Sequence, residues 1–291
     1  MKIKKAIRKI LLKLPPWRAF DRIVALAYFW IAHHRLPSRK SGLFNDFLFY
    51  LKTSVEMERP LRQCVSDKDL VKIFYRGIFQ EELAPRTLAK FKDFGSFMKA
   101  DLPDVCILKP AHLSGCIFID AGKSSLSLEQ LDRVRAWFNR NLYDDIGRER
   151  NYRLLEPSVI CEEVVAGKNE VRDYKIFCYR GEPRLIQVDV DRHTTHKRRL
   201  YTVDWQPLPF QYNKPLAEVE PQPEVLGRAL ELVRRIAGYF EFIRVDTYII
   251  GKRVYLGELT SVPENAHGRF ENKEADRMFM DMLISDLAQP K

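Results

Sequence analysis

The chain has no C-x-x-C pair, no G-x-x-x-x-G-K-[ST] loop and no G-x-G-x-x-G loop. Its five cysteines, Cys64, Cys106, Cys116, Cys161 and Cys178, are an odd number in a chain of ordinary domain size. They are therefore expected to be buried thiols of a reducing compartment, not a disulfide frame or a redox pair. Without either glycine-rich loop, the P-loop and Rossmann routes to nucleotide phosphate receive no support. Zinc lacks ligands, because His193 and His196 have no soft partners at usable spacing. No apolar run reaches the roughly 20 residues that cross a bilayer. The run from Ile23 to Ala32 follows Asp21 and Arg22 and has no small-residue cleavage site, which argues against a transmembrane helix and against a signal peptide.

Acidic residues are also nearly absent from one stretch. Residues 1–40 carry eleven Lys and Arg against Asp21 alone. The chain's 49 Lys and Arg less these eleven leave 38, and its 39 Asp and Glu less Asp21 leave 38, so the body is neutral. A nucleic-acid enzyme carries its basic footprint on the domain itself, and no nucleic-acid partner is expected. Residues 3–14, IKKAIRKILLKL, predict a basic amphipathic helix stopped by Pro15-Pro16. Followed by Trp17, Phe20 and a short apolar run, this is the composition of an interfacial anchor for an anionic membrane surface through residues 1–34. The alternative is a pair of helices packed on the body or on a partner protein. At 46% hydrophobic residues, the 291-residue chain can bury a core as one large domain or two to three small ones.

What is present centres on Phe242 to Thr260, FIRVDTYIIGKRVYLGELT, two apolar, β-branched arms around Gly251-Lys252-Arg253 that predict a hairpin. With those three residues as the loop, Asp246 falls opposite Glu258. Strand alternation then puts Arg244, Asp246, Glu258 and Thr260 on one face. Facing carboxylates have Cβ atoms roughly 5 Å apart and repel, so positive charge is expected between them. That charge is either Arg244 and a lysine on a solvated face, or a divalent cation whose hard oxygen ligands suit Mg²⁺.

Upstream, Asn45 to Lys52 and the stretch from Ser66 to Phe79 read as helices, with Asp67 as an N-cap and Lys72 as a surface lysine. LAKFKDFGSFM, within residues 84–103, carries a helical pattern. Asp104 to Ile119 reads as a hairpin whose loop, KPAHLSG, opens on Lys109. A lysine ending a buried strand beside a small-residue loop can lay an ammonium and backbone N–H groups along phosphates, or it can simply be solvated. Leu126 to Tyr143 reads as one amphipathic helix with Leu128, Leu131, Val134, Trp137, Phe138 and Leu142 on its apolar stripe. Val159 opens a strand into Glu162-Glu163, and YKIFCY and RLIQVDV form a hairpin turning at Arg180 to Pro183. Residues 193–225, rich in proline, read as substrate loops or as an ordinary mobile surface loop.

Seven stretches in order, SDKDLVK (66–72), ILKPAHLSG (107–115), ICEEVV (160–165), DYKIFCYRGEP (173–183), VDVDR (188–192), YTVDW (201–205) and RVDTYIIGKRVYLGELT (244–260), carry a resemblance. From about Phe44 to Phe270 the chain resembles the ATP-grasp superfamily, and within it the TupA-like branch associated with teichuronopeptide and related capsular-polysaccharide biosynthesis. The resemblance implies an α+β class and an ATP-grasp fold, in which two α+β subdomains close on ATP. The expected division is a basic helical arm at 1–40, a smaller, mostly helical N-terminal region at 41–103, and subdomains at 104–160 and 161–291.

By the same resemblance, Lys109 and Lys175 are the nucleotide lysines, and Lys72 falls where relatives place a basic residue, usually arginine. Glu162, Glu163 and Val164 form the hinge whose backbone meets adenine, with Glu163 or Glu170 near the ribose. Arg192 and Arg244 meet the transferred phosphate, with Lys175 beside them. Asp246 and Glu258 hold Mg²⁺, and Thr260 stands where many relatives have a ligating asparagine. The implied reaction is ATP- and Mg²⁺-dependent carboxylate–amine ligation through an acyl phosphate, with a uronic acid of a surface polysaccharide and an amino acid as substrates. The implied place is the inner face of the cytoplasmic membrane. Two rivals are a phosphotransferase on the same fold and a non-catalytic assembly subunit.

Overall fold

In the computed structural model, residues 13–145, 147–166, 172–190 and 195–285 are described. The chain divides into two compact units, residues 1–25 with 53–167 and residues 26–52 with 168–291. The apolar run at Ile23 lies in helix α1 (Arg18–His33), which starts in the first unit and ends in the second. The helix expected at 3–14 falls, but for its last two residues, outside the described residues. No helix among the described residues is long and apolar enough to cross a membrane. Helix α2 (Phe44–Lys52) follows in the second unit as expected, one residue longer at its start.

The first unit continues with α3 (Pro60–Ser66) and α4 (Leu70–Phe79). Asp67 accepts from the backbone N–H groups of Asp69 and Leu70, so it satisfies the open end of α4 although it stands outside the helix. A four-stranded antiparallel sheet is ordered β1-β4-β2-β3, from β1 (Thr87–Phe91), β2 (Cys106–Pro110), β3 (Ile117–Ile119) and β4 (Val159–Glu162). The helix expected over Leu88 to Met98 is instead β1 followed by the short helix α5 (Phe94–Lys99). Pairing with β4 overrides the local helical pattern, and Asp93 caps α5 by accepting from Ser96 N–H at 2.8 Å.

The single helix expected at 126–143 is likewise two, α6 (Leu128–Trp137) and α7 (Leu142–Asp145). A capping box of Ser127 and Gln130 starts α6. The Asn141 carboxamide binds the carbonyls of Tyr152 and Leu155 and accepts from Tyr143 N–H, which holds the break. Val134 and Trp137 reach the core with Phe97, Leu108 and Ile119, whereas Leu128 is 82% exposed and leaves the expected stripe.

The second unit is built on an antiparallel sheet ordered β7-β6-β5-β8-β9. Its strands are β5 (Arg172–Tyr179), β6 (Glu182–Val190), β7 (Lys197–Thr202), β8 (Phe242–Ile250) and β9 (Arg253–Thr260). The β5–β6 turn is only Arg180-Gly181, both at positive φ, as a two-residue hairpin requires, so Glu182 and Pro183 belong to β6. Helix α8 (Leu226–Ala237) buries Leu232, Val233 and Ile236 and lies against β5, β6 and β8. Helix α9 (Lys273–Ile284) and α2 join an aromatic cluster on the Phe177 face, where Phe44 and Phe279 rings lie 4.6 Å apart and Phe177 and Phe279 5.1 Å apart.

Beyond the outside strand β7, the described part of 193–225 is packed, not loose. Trp205 stacks on Tyr201 at 4.3 Å and donates to the Glu220 carbonyl, Leu208 N–H donates to Leu200 O, and Phe210 and Tyr212 are buried. Three cysteines match the expectation of burial, but Cys64 is half-buried and Cys116 is exposed. All five are free, and burial pushes the Cys161 thiol up to about 12, which leaves it unreactive.

Candidate functional site

In the first unit the site grows from the middle of its sheet. Register sets Thr87 of β1 and Ile107 of β2 on either side of Glu162, and Lys109, two residues on from Ile107, shares their face. The buried Glu162 carboxylate holds two cations. One oxygen lies 2.6 Å from Lys72 Nζ, and the other binds Lys109. Lys72 also donates to Thr87 Oγ1 at 2.8 Å, and Thr87 donates to Asp69, which binds Lys90 as well. Lys72 is therefore no surface lysine: its side chain crosses from α4 to β4 and is 8% exposed. Lys109, one-fifth exposed, is the member of the pair nearer to solvent.

Glu163 does not stand free beside this pair. It accepts from Arg86 through the backbone N–H at 2.9 Å and through Nε at 2.8 Å, and its own N–H donates to Arg86 O. Val164 follows, half-buried. Glu170 lies outside the described residues, as does Arg192.

In the second unit the hairpin forms, but by a different turn. Ile250 pairs with Arg253, so the loop is Gly251-Lys252, with Gly251 at positive φ. A bulge restores the expected facing. Val245 pairs with Leu259 and Thr247 with Leu256, which leaves Gly257 and Glu258 together opposite Asp246. A Cβ at Gly257 would come within 3.0 Å of the Asp246 carbonyl, so the bulge needs glycine for close approach. Arg244, paired with Thr260, donates Nε and Nη2 to the two oxygens of Asp246 at 2.7 and 2.8 Å, and Nη2 also reaches Thr260 Oγ1 at 3.0 Å. Burial opposes the Arg244 charge, but Asp246 more than offsets this and holds the guanidinium above its usual value. Glu258 is half-buried.

Lys175 faces Asp246 across the β5–β8 pair, with Nζ 3.3 Å from Oδ2. It is bonded to Asp173 and lies 3.8 Å from Asp189. Asp189 in turn accepts from Arg198 Nε at 2.6 Å and from the Gln187 amide, while Arg198 also donates to the Tyr212 carbonyl. Asp173, Asp189 and Asp246 thus meet Lys175, Arg198 and Arg244 on one buried face, with Glu264 3.5 Å from Arg198 and His196 3.5 Å from Asp189 at its edge.

Burial by itself would raise the Asp189 carboxyl, but Arg198, with Lys175 behind it, brings it down to about 2. Because its folded value lies below the unfolded one of about 4, its stabilisation is complete above that pH and is lost as pH falls toward about 2. Urea midpoints followed across this range should fall for the wild type and fall less for Asp189→Asn. Equal slopes would show that the pair is not responsible.

The donors offered to a cation, the carboxylates of Asp246 and Glu258 and the Thr260 hydroxyl, are the hard oxygens that Mg²⁺ takes. Both oxygens of Asp246 are bonded to Arg244, and among the described residues no three His, Cys, Asp or Glu side chains group as a metal site. Asp246, Glu258 and Thr260 would offer hard oxygen donors to such a cation once Arg244 released Asp246.

Sequence reasoning assigned no role to Asp173, Gln187, Asp189 or Arg198, and treated Glu162 as hinge backbone only. One signal was available. Gln187 and Asp189 are polar residues two apart in the apolar run Leu185 to Val190, and Asp173 and Lys175 repeat that spacing on the neighbouring strand. Polar side chains of one parity in a buried sheet need partners on the same face.

The profile of the TupA-like ATPgrasp family matches residues 48–284. Among solved structures, the chain is similar to D-alanine--D-alanine ligase from Bacillus anthracis complexed with ATP, at 18% identity and a TM-score of 0.40 over 69% of this chain and 54% of that one. It is similar to the ATP-grasp ligase PsnB complexed with minimal precursor, at 14% identity and a TM-score of 0.37, over 70% and 55%. It is also similar to L-amino acid ligase from Bacillus licheniformis, at 11% identity and a TM-score of 0.46, over 85% and 56%. The chain spans little more than half the length of each. No curated protein matches it.

Proposed function

The chain belongs to the TupA-like ATP-grasp family, and on that premise we propose that it is an ATP- and Mg²⁺-dependent carboxylate–amine ligase that amidates a uronic acid of a surface polysaccharide, or of its precursor, with an amino acid. The observation that carries this is the pairing of every described candidate cation with a buried carboxylate: Lys72 and Lys109 with Glu162, and Lys175 and Arg244 with Asp246. Such pairs keep ammonium and guanidinium groups charged and fixed in a weakly polar surrounding. There they stand in position for phosphate oxygens without the reorganisation that solvated side chains would need.

Lys72, Lys109 and Lys175 are assigned to the nucleotide, together with the hinge backbone of Glu162, Glu163 and Val164, with Glu163 or Glu170 near the ribose. Lys175, Arg192 and Arg244 are assigned to the phosphoryl group in flight, and Asp246, Glu258 and Thr260 to Mg²⁺. When bound, the cation supplies charge neutralisation for the phosphates. A carboxylate oxygen of the acceptor takes the γ-phosphoryl group in line and ADP leaves. The amine nitrogen then attacks the acyl carbon, phosphate departs, and the ammonium proton is lost to give the amide. Lys175 and Arg244 oppose the repulsion between two anionic reactants. No cysteine or serine nucleophile is required. Residues 1–34, with their excess of basic residues, suit attachment at the inner face of the cytoplasmic membrane, where a lipid-linked acceptor would be met.

Purified protein given ATP, Mg²⁺, a uronosyl acceptor and a panel of amino acids should release phosphate only when acceptor and amine are both present. Phosphorylated acceptor accumulating without amine would assign a phosphotransferase instead. Absence of amine dependence across the panel would overturn the ligase reading.

A further inference from the structure

On the premise that residues 1–34 meet a membrane surface, we propose that α1 is the element that inserts, lying in the plane of an anionic bilayer with Trp17, Ile23, Leu26 and Trp30 in the acyl boundary. Ile23, Leu26 and Trp30 are spaced i, i+3 and i+7 and so share one stripe of the helix, and Trp17 stands just before its first turn. They are 51%, 37%, 53% and 66% exposed, whereas the other stripe of the same helix, with Val24, Tyr28 and Phe29, is buried. An apolar helix that buries one stripe and leaves Ile23, Leu26 and Trp30 on another, with Trp17 just before it, has a second apolar surface exposed among the described residues. Indole at such a position suits the headgroup boundary, where its ring is apolar and its N–H can remain hydrated.

The charges select the occupant. Asp21, the single acid of residues 1–40, points inward: Tyr143 donates its hydroxyl to Oδ1 at 2.7 Å and Arg150 donates Nε to Oδ2 at 2.9 Å. No acid of this stretch therefore faces solvent, while Lys13 and Arg22 do. Arg18 is the exposed base already matched, by Glu58 at 2.6 Å. Arg148 and Arg150 donate to the carbonyls of Leu14 and Pro16, which fixes the entry into α1. An apolar stripe flanked by unopposed bases is complementary to anionic lipid, and a second apolar protein surface would not require the bases.

The chain contains its own reporter. Of its four tryptophans, Trp137 and Trp205 are 3% and 7% exposed, so a change of emission on binding vesicles comes from Trp17 and Trp30. Full-length protein should cosediment with vesicles of phosphatidylcholine and phosphatidylglycerol, its emission should shift to the blue, and bromine-labelled acyl chains should quench it. Binding to phosphatidylcholine alone should be weak. Trp17→Ser with Trp30→Ser should abolish the quenching and weaken binding by about tenfold or more. Leu26→Ser keeps both tryptophans and should weaken binding with the shift retained at saturation. Both variants should melt like the wild type, since they change exposed side chains.

Cosedimentation without blue shift or quenching would overturn the insertion of α1 and leave the membrane arm standing as electrostatic adsorption. No cosedimentation with either vesicle would overturn the arm and the insertion together. A blue shift that grows with protein concentration in the absence of lipid would assign the stripe to a second copy of this chain, and so overturn the insertion. Amine-dependent phosphate release in the same preparations tests the ligase reading separately.

Discussion

Asp246→Asn is expected to remove nucleotide-dependent cation binding and to lower turnover by about a hundredfold or more, the loss typical when one preorganised charge contact of a reaction is removed. Asparagine keeps the shape and one acceptor, but the carboxylate charge carries both Arg244 bonds and faces Lys175 at 3.3 Å. Its removal leaves two buried cations with fewer counterions. The cost is about 3 kcal/mol of stability, the lower end for breaking a buried pair, because Thr260 and Asp173 still bind Arg244 and Lys175. Adding Arg244→Met should recover most of that stability without recovering turnover, which separates the structural role of the pair from the chemical one.

The same geometry predicts how Mn²⁺, as a spectroscopic stand-in for Mg²⁺, should bind. A cation alone would have to displace Arg244 from its counterion, so it should bind weakly. With nucleotide present the phosphates take over the guanidinium, and binding should strengthen. Mn²⁺ binding that is equally tight with and without nucleotide, or unchanged in Asp246→Asn, would show that this carboxylate is not its ligand.

The second large effect is expected at Glu162. Its two oxygens hold Lys72 and Lys109, and Glu162→Gln leaves two neighbouring ammonium groups facing a neutral side chain. Repulsion and lost pairing should cost about 3 kcal/mol in the absence of ligand. Two effects then compete when ATP is added. The triphosphate supplies the missing counter-charge, which favours binding, while the lysines lose the carboxylate that positions them, which disfavours reaction. The charge effect should dominate binding and the positioning effect turnover. The variant should therefore gain more melting temperature from saturating ATP than the wild type gains, while turning over more slowly. A smaller ATP-induced gain than that of the wild type would show that Glu162 binds the nucleotide itself and does not serve as a counterion.

Much of the architecture was legible because it is local. The β5–β6 and β8–β9 hairpins announce themselves by apolar, partly β-branched arms and glycine turns, α2 reads as a helix, and α4 carries an aspartate near its start. The hairpin reading also shows how a local argument can reach the right pairing by the wrong turn. A three-residue loop was expected and a two-residue loop is found, yet the bulge at Gly257 brings Glu258 back opposite Asp246. Glycine at that position was visible, but nothing in the hairpin alone says which strand absorbs the extra residue. LAKF, by contrast, has a helical pattern and becomes β1, because β4 offers it a ladder that no local propensity encodes.

The sequence by itself determined the family, the order of its motifs, the confinement of excess positive charge to residues 1–40, and the residue types available to hold phosphate and a cation. The family and the order of its motifs rest on the resemblance of seven stretches and on the family match, and the rest follows from composition along one chain. The tertiary structure decided which charges meet: Glu162 between Lys72 and Lys109, Arg198 against Asp189, and Asp21 of α1 turned inward onto Arg150. Each of these pairs joins residues of different strands and helices. Burial sets the strength of each pair, and neither register nor burial is a property of a residue's neighbours in sequence.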